Sequence, residues 1–339
     1  MTRSTIEDVA RRAGVSVATV SRALRGLPNV APTTRDRIQC AAAELDYLAH
    51  PQASRLASGR TMTVGLVAPL FGRWYAGQVV AGAESVLADN GYDLLVHAVD
   101  SPENRSRFLA STGALRGRVD GLVLVDFFAP PQHVEALGAA NAEVVTVGER
   151  IDMFSSLTID NEAAARAATE HLIGLGHDRI GIIEGDTAGG DVSPVPSDRA
   201  AGFAEALDGA GLDIAGACRA DGHFTVSGGA AAAERLLRSG NRPTAVFCMS
   251  DEMAMGAIGR ARELGYDVPG DLSVVGFDGH DLAEAFGLTT MIQPVRGMGR
   301  RATETLLAAI HGVFSAPRHE TAPVTLVVRS STAPPSPER

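Results

Sequence analysis

The first fifty residues carry hydrophobic positions at helical spacing. Apolar residues recur every three or four positions within residues 6–13, which predicts a short amphipathic helix. Thr5 followed by Asp8 is typical of a capping box at the start of a helix, and Gly14 is a typical residue at its end. We therefore expect a first helix bounded by Thr5 and Gly14.

A second helix is predicted to begin only about three residues later. Ser16 is a suitable N-cap for a helix that runs through Leu24 and is closed by Gly26. A turn this tight makes two helices cross steeply, as in a helix-turn-helix, whose second helix enters the DNA major groove. Pro32 is suited to the first position of a third helix.

The two faces of the second helix differ in composition. Helical spacing separates an inward set, Val20, Ala23 and Leu24, from an outward set, Val17, Ala18, Ser21 and Arg22. Val17 and Ala18 gain nothing by facing water, whereas in a major groove they can contact thymine methyl groups. Arg22 is suited to a bidentate contact with guanine, a pairing worth about 1–3 kcal/mol of discrimination. The outward face predicts DNA recognition; the alternative is a three-helix domain that contacts protein.

From Thr63 onward, short apolar runs alternate with helical stretches. The runs of the first half are residues 64–67, 93–98, 121–125 and 144–147, and those of the second half are residues 180–183, 244–248 and 272–275. This alternation predicts repeated β-α units in two parallel-sheet lobes, that is, an α/β fold. Ligands of open α/β sheets bind beyond the carboxyl ends of the strands, so the residues after these runs are candidates for a binding site.

Polar and aromatic side chains cluster at those positions. The set comprises Trp74, Tyr75, Asp126, Glu149, Asp251 and Asp278, with Arg199 at the start of a helix and Phe224 nearby. An aromatic platform with charged hydrogen-bonding groups suits a polyhydroxylated ligand such as a sugar. Taken singly, an Asp at a strand end more often caps a helix than binds a ligand, and Trp74 alone could pack between lobes.

The charge balance separates the two ends of the chain. Residues 1–60 carry nine arginines against five acidic residues, whereas the rest of the 339-residue chain carries 21 basic against 35 acidic residues. A basic head before an acidic body favours nucleic acid as the partner of the head. The N-terminus lacks the apolar run of a signal peptide, and no later stretch approaches eighteen apolar residues. We expect a cytoplasmic protein without a membrane span.

Several classes of function lack their sequence signature. No nucleophile with a base, paired carboxylates, metal cluster or phosphate loop occurs at a suitable spacing. The three cysteines and nine histidines show no metal-ligand spacing. We therefore expect no catalytic residue, no metal site and no cofactor. A non-regulatory sugar-binding protein would share the predicted body but would not need residues 1–60.

Several segments, in order, resemble one family. They are residues 5–22 (TIEDVARRAGVSVATVSR), 64–67 (VGLV), 120–124 (DGLVL), 171–180 (HLIGLGHDRI), 198–203 (DRAAGF) and 274–278 (VVGFD). These segments closely resemble the LacI/GalR family of repressors. The resemblance implies a DNA-binding head on a periplasmic-binding-protein-like core of two lobes, with double-stranded DNA and a small-molecule effector as partners.

The resemblance also implies which residues contact DNA. Val17, Ala18 and Arg22 are expected to contact bases, and Leu56, with Ala53 beside it, is expected to enter the minor groove. The remaining expected DNA contacts are Thr5, Ser16, Thr19, Ser21 and Asn29. The Val-Ala pair resembles members that bind a palindromic operator around a central C-G step. The hinge departs from the family, which usually has Pro and Asn where this chain has Ala49 and His50, with Pro51 displaced.

For the effector, Arg199 and Asp278 match the main clamping positions of the family. Phe224 matches a stacking position, whereas Trp74, Tyr75 and Glu149 match more loosely. Ser250 with Asp251 stands where Asn-Asp is common, so specificity is expected to differ. A sugar is the expected effector, and a nucleobase or other metabolite that acts as corepressor is the alternative. Release from DNA by the effector is the expected direction.

The resemblance fixes the expected domain organisation. A helix-turn-helix domain (1–48) and a hinge (49–61) precede the two-lobed domain (62–332), and a disordered tail (333–339) follows it. The first lobe takes residues 62–160 with 292–322, and the second takes residues 161–291 with 323–332. A homodimer is expected because the C-terminus has no leucine heptads that would join four chains.

Overall fold

A computed structural model describes residues 4–24, 28–47, 60–69, 72–115, 117–127, 131–138, 142–185, 194–214 and 218–336. The chain divides into two compact units. The first comprises Met1–Thr63 with Gly117–Asp120, and the second comprises Val64–Arg116 with Gly121–Arg339.

The first unit contains three helices, α1 (Ile6–Ala13), α2 (Val17–Leu24) and α3 (Pro32–Glu44). Thr5 and Asp8 form the predicted capping box, and Gly14 ends α1 in the left-handed conformation with φ of 64°. Ser16 caps α2 by accepting a hydrogen bond from the backbone N–H of Thr19 at 3.2 Å. The predicted helix-turn-helix is confirmed at the level of its helices and their caps.

A small apolar core joins the three helices. Its buried members are Val9, Ala10, Ala13, Val20, Ala23, Ile38, Ala41 and Ala42. The guanidinium of Arg35 on α3 donates to the carbonyl oxygen of Ala23 at 2.8 Å, which satisfies an acceptor near the end of α2. These contacts fix the orientation of α2 and leave its opposite face in solvent.

The second unit contains two six-stranded sheets. The first lobe is built from β1 (Thr63–Ala68), β2 (Asp93–Ala98), β3 (Gly121–Val125), β4 (Glu143–Val147), β5 (Ser155–Thr158) and β11 (His319–Thr321). Its strand order is β11-β5-β4-β3-β1-β2. The second lobe is built from β6 (Ile180–Glu184), β7 (Arg219–Asp221), β8 (Ala245–Cys248), β9 (Ser273–Asp278), β10 (Thr289–Ile292) and β12 (Thr325–Val327). Its strand order is β12-β10-β9-β8-β6-β7.

Helices connect and cover the strands. They are α4 (Trp74–Asp89), α5 (Pro102–Ala110), α6 (Pro131–Gly138), α7 (Asn161–Gly174), α8 (Val195–Gly209), α9 (Val226–Leu237), α10 (Asp251–Glu263) and α11 (Val295–Ile310). In the register of the first sheet, Val64 pairs with Gly121 and Leu122 with Val144, both in parallel. The predicted α/β fold of two parallel-sheet lobes is confirmed. The described helices include none long and apolar enough to span a bilayer.

The C-terminal segment differs from the expectation of a tail that is disordered from residue 333. The backbone of Ala333 accepts a hydrogen bond from Ser273 Oγ at 3.0 Å and donates one to the same oxygen at 3.1 Å. Ser336 Oγ donates to the carbonyl oxygen of Gly270 at 2.7 Å. Residues 333–336 are therefore held against the second lobe, because their backbone finds partners there despite a proline-rich composition. Residues 337–339 lie outside the described residues.

Candidate functional site

The exposed face of α2 is the first candidate site. Val17 is 40% exposed, Ala18 and Arg22 are exposed, and Ser21 is half-buried, whereas Val20 and Ala23 are buried. Exposed apolar side chains beside an arginine match the composition of a helix that contacts base edges. The face that the sequence predicts for DNA recognition is therefore available to solvent.

The other residues predicted to contact DNA differ in their local roles. The hydroxyl groups of Thr5 and Ser16 take part in capping α1 and α2. Thr19 Oγ1 lies 2.8 Å from Ser16 Oγ. Asn29 adopts a positive φ of 68° in the turn before α3. The predicted hinge contacts Ala53 and Leu56, with the altered hinge residues Ala49, His50 and Pro51, lie outside the described residues.

The second candidate site is a cavity of about 370 Å³ within the second unit. Both lobes line it, and its polar or aromatic lining includes Tyr75, Asp126, Asn161, Arg199, Phe224, Ser250, Asp278 and Gln293. Its apolar lining includes Val99, Val125, Ile159, Val195 and Met298. An apolar cavity with a few convergent polar groups is the usual form of a small-molecule site.

Arg199 and Asp278 form the charged centre of the cavity wall. The guanidinium of Arg199 donates to Asn161 Oδ1 at 2.9 Å and to the carbonyl oxygen of Met249, and it lies 3.6 Å from the ring centroid of Phe277. Its Nη1 lies 3.7 Å from Asp278 Oδ1. Because both groups are buried, the pair is screened little by water and is positioned rigidly.

Asp278 is held from two further directions. Gln293 Nε2 donates to its Oδ1 at 2.8 Å, and the backbone of Asp278 has a positive φ of 115°. Burial raises the pKa of Asp278 to about 6, although the charge of Arg199 and the bond from Gln293 oppose this shift. Desolvation likewise lowers the pKa of the Arg199 guanidinium. The unusual backbone angle turns the carboxyl at the end of β9 toward the cavity, which is typical of functional positions.

Asp126 faces the pair from the first lobe, at the end of β3. No described residue donates a hydrogen bond to its carboxyl, which lies directly over Gly148, where a Cβ atom would collide with Asp126 Oδ1. Burial raises the pKa of Asp126 to about 7 against the opposing charge of Arg199. Burial also raises the pKa of the Tyr75 phenol, and the charge of Asp126 adds to that shift. This side of the cavity therefore offers a carboxyl to which none of the described residues donates.

Phe224 and Ser250 complete the second-lobe side. The Phe224 ring packs directly over Gly185, where any Cβ would overlap the ring, and its φ is 51°. Ser250 caps α10 by accepting a hydrogen bond from Met253 N–H at 3.3 Å, and it lines the cavity beside the helix end. A small residue below the ring and a cap at the helix thus place an aromatic face and a hydroxyl in the cavity.

Three residues that the sequence groups with this site are not among those that line the cavity. Trp74 contacts the segment after β9 instead. The carboxylate of Asp251 accepts hydrogen bonds from the backbone N–H groups of Gly279 and His280, so it supports the loop beside the cavity. Glu149 is buried, and its Oε2 lacks a hydrogen-bond partner within the described part of the chain. Burial together with the charge of Asp126 raises the pKa of Glu149 to about 7.

The structure also brings in polar residues that sequence reasoning missed. Asn161 holds Arg199, Gln293 holds Asp278, and Arg73, Arg105 and Glu252 line the cavity. Asn161 and Gln293 each follow a short strand, β5 or β10, that the hydrophobic runs did not predict. Recognising those strands would have identified both residues by the same strand-end argument.

Two parts of the chain match known families. Residues 5–50 match the family described as bacterial regulatory proteins of the lacI family, and residues 169–332 match the periplasmic binding protein-like domain. The catabolite control protein A of Priestia megaterium is 33% identical over 307 residues, which cover 89% of this chain and 91% of that protein. The repressor CytR of Escherichia coli (strain K12) is 32% identical over 345 residues, which cover 98% of this chain and 97% of that protein.

Solved structures show the same similarity. A lac repressor dimer bound to operator and the anti-inducer ONPF superposes with a TM-score of 0.86 at 28% identity, covering 98% of this chain and 100% of that chain. A complex of the transcriptional regulator CelR with cellobiose superposes with a TM-score of 0.70 at 32% identity, covering 97% of this chain and 100% of that chain. Both similarities extend over the head and the two-lobed body.

Proposed function

The chain belongs to the LacI family of bacterial regulatory proteins, and from this premise we propose that a carbohydrate effector controls its binding to a palindromic operator. Its relatives are DNA-binding transcriptional regulators, and the chain is a transcriptional repressor of that family rather than an enzyme.

The exposed face of α2 carries the proposal for operator binding. Val17, Ala18 and Arg22 project from a helix whose other face is locked into the core of the head, so they can enter a major groove without rearrangement. Two heads of a dimer would meet successive major grooves about one helical turn apart, which makes the operator a palindrome. Ala53 and Leu56 are proposed to contact the minor groove when the hinge folds on DNA.

The cavity supports a polyhydroxylated effector. Arg199 and Asp278 offer a fixed donor and acceptor, Asp126 offers a carboxyl without a donor among the described residues, and Phe224 offers an aromatic face. Vicinal hydroxyl groups can donate to both carboxyls, and the apolar face of a sugar ring can pack on Phe224. Tyr75 and Ser250 add hydroxyl groups at the two sides of the cavity.

A planar nucleobase is the second candidate effector. The half-buried ring of Phe224 and the apolar wall that includes Val99 and Ile159 also suit a flat heterocycle, which would bind as a corepressor. The two candidates differ in the sign of their effect, because a sugar is proposed to release the protein from DNA and a nucleobase to retain it.

Effector binding is proposed to act by changing the relation between the two lobes. A ligand that contacts both lobes binds one arrangement better and shifts the population toward it. Similarity to the operator-bound lac repressor supports the present lobe arrangement as the one that binds operator. A sugar that favours another arrangement would then release the hinges and heads from the operator.

Fluorescence anisotropy tests operator binding. The purified protein is titrated against a palindromic duplex with a central C-G step and against a scrambled duplex, at about 150 mM salt. We expect a preference for the palindrome of about a thousandfold or more, the ratio typical of specific regulators. The proposal would be contradicted if the protein bound every palindrome of a set as weakly as the scrambled duplex, both with and without candidate nucleobases.

The effector is tested with the same assay. Sugars are screened for their ability to release the protein from the operator. The dose response to an active sugar is then compared between Asp278→Asn and the parent protein. Asn keeps the shape of the side chain and tolerates a positive φ, so operator affinity should be retained while the response is lost. An unchanged dose response in this variant would exclude Asp278 from the effector site.

A further inference from the structure

The first turn of α4 contacts the segment that follows β9, and these two elements belong to different lobes. Trp74 Nε1 donates to Asp281 Oδ2 at 2.9 Å, and Gln78 Nε2 donates to the same oxygen at 3.2 Å. The indole of Trp74 also stacks on the imidazole of His280, with ring centroids 5.0 Å apart and an interplanar angle of 28°. These contacts join the lobes outside the cavity, which none of these four residues lines.

A second-lobe carboxylate also meets the beginning of α4. Arg73, at the N-cap position, makes no side-chain capping hydrogen bond. Glu252 on α10 instead brings its carboxyl near the backbone N–H of Trp74. Burial raises the pKa of Glu252, and the charge of Arg73 and the N–H of Trp74 oppose this shift. A carboxylate at this end of a helix is also favoured by the helix dipole, so the second lobe completes a helix end of the first.

The second-lobe half of these contacts is held rigidly by Asp251. Its Oδ2 accepts hydrogen bonds from the backbone N–H groups of Gly279 at 2.9 Å and His280 at 2.7 Å, and its Oδ1 accepts one from Thr290 Oγ1 at 2.6 Å. Because Asp251 is fully buried, these bonds are shielded from competing water. The segment that meets α4 is therefore presented in one conformation.

We propose that Trp74, Gln78, His280 and Asp281 form a latch that stabilises the operator-binding arrangement of the lobes. The inference rests on the proposed function, because the latch acts on the equilibrium that an effector is proposed to shift. The latch residues do not line the cavity, so loss of the latch changes that equilibrium without removing a cavity contact. Trp74 is accordingly a positioning residue for DNA binding.

The latch can be observed directly because Trp74 is the single tryptophan of the chain. Tryptophan emission and its quenching by acrylamide are measured for the parent protein, for Asp281→Ala and for Asp208→Ala, a control at an exposed aspartate on α8 of the same lobe. We expect a red shift of the emission and stronger quenching in Asp281→Ala alone. Emission and quenching in Asp281→Ala that match the parent protein would overturn the latch, whatever the DNA-binding result.

The effect on function is measured as operator affinity. Asp281→Ala is expected to weaken operator binding about three- to tenfold, because it removes the solvent-screened hydrogen bonds that Trp74 and Gln78 donate to this carboxylate. Asp281→Asn retains an acceptor and should restore most of the affinity. Binding to scrambled DNA should not change, because the head is untouched.

A double-mutant cycle tests whether the contacts act as one unit. Trp74→Phe keeps a ring against His280 but removes the N–H donor. The double variant that combines Trp74→Phe with Asp281→Ala should have an operator affinity no lower than that of the single variant with the lower affinity. The reason is that both substitutions remove the same interaction. Additive losses, or equal losses on scrambled DNA, would overturn the latch. If the parent protein did not prefer operator over scrambled DNA, the proposed function would be overturned instead. The tryptophan emission measurements would still decide whether the latch forms.

Discussion

Asp126 combines burial, a raised pKa and the absence of a donor from any described residue. In the folded protein its pKa is about 7, above the value near 4 of an unfolded chain. The stability that comes from this difference is fully present below about pH 4 and is lost as the pH rises through about 7. The ionised carboxyl therefore destabilises the ligand-free protein at alkaline pH.

Asp126→Asn should consequently stabilise the ligand-free protein at pH 8 but not at pH 4. At about 1.4 kcal/mol per pKa unit, and allowing for solvent in the cavity, we expect a gain on the order of 2 kcal/mol at pH 8. Thermal unfolding of both proteins at the two pH values measures it, with Asp208→Asn as an exposed control. A gain of equal size at both pH values would show that ionisation is not its cause.

Arg22 is the side chain of α2 best suited to distinguish one base from another. Arg22→Ala should reduce the free energy of operator binding by about 1–3 kcal/mol and relax the base preference at one base pair. Arg37→Ala on α3 removes the same charge from an exposed position of the head and serves as the control. Anisotropy on operators substituted one base pair at a time checks this. Equal losses on scrambled DNA would make Arg22 a phosphate contact.

Among the elements, three pairs of helices approach each other closely at glycines. A Cβ at Gly82 of α4 would overlap the carbonyl oxygen of Arg296 on α11, and one at Gly299 would overlap that of Val79. The same close approach occurs at Gly202 between α7 and α8 and at Gly229 between α9 and α10. Backbone cannot move aside as a flexible side chain can, so these glycines set the distance between the helices.

Gly82→Ala should therefore destabilise the protein by about 3 kcal/mol, at the upper end of the usual cost of overpacking. Gly77→Ala on the same helix meets nothing within 4 Å and should stabilise it by about 0.5–1 kcal/mol through helix propensity. Urea unfolding of the two variants compares them directly. If both substitutions changed stability alike, the helix contact would not be tight at Gly82.

At the scale of the whole molecule, a palindromic operator requires two heads. The chain has a mass of 35.2 kDa, so the proposed homodimer has twice this mass. Sedimentation equilibrium at micromolar concentration should show the dimer without DNA. A stable monomer under these conditions would contradict the proposed arrangement of heads.

The sequence by itself determined the features that depend on neighbouring residues. The capping box of Thr5 and Asp8, the turn at Gly14 and the buried run of β3 follow from local hydrogen bonding and hydrophobic periodicity, which act over a few residues. The two-lobed α/β fold followed from the alternation of such runs. Strands β5, β7, β10, β11 and β12, of three or four residues each, escaped prediction because so few residues give no reliable period.

Only the tertiary structure decided which polar groups meet. The prediction from strand ends grouped Trp74 and Asp251 with the effector site, but packing places Trp74 against Asp281, 207 residues away, and turns the carboxylate of Asp251 toward a loop. Asn161 reaches Arg199 for the same reason, across 38 residues. A strand end gives the edge of the sheet at which a side chain lies, whereas its partners depend on how distant elements pack, and no local pattern encodes that packing.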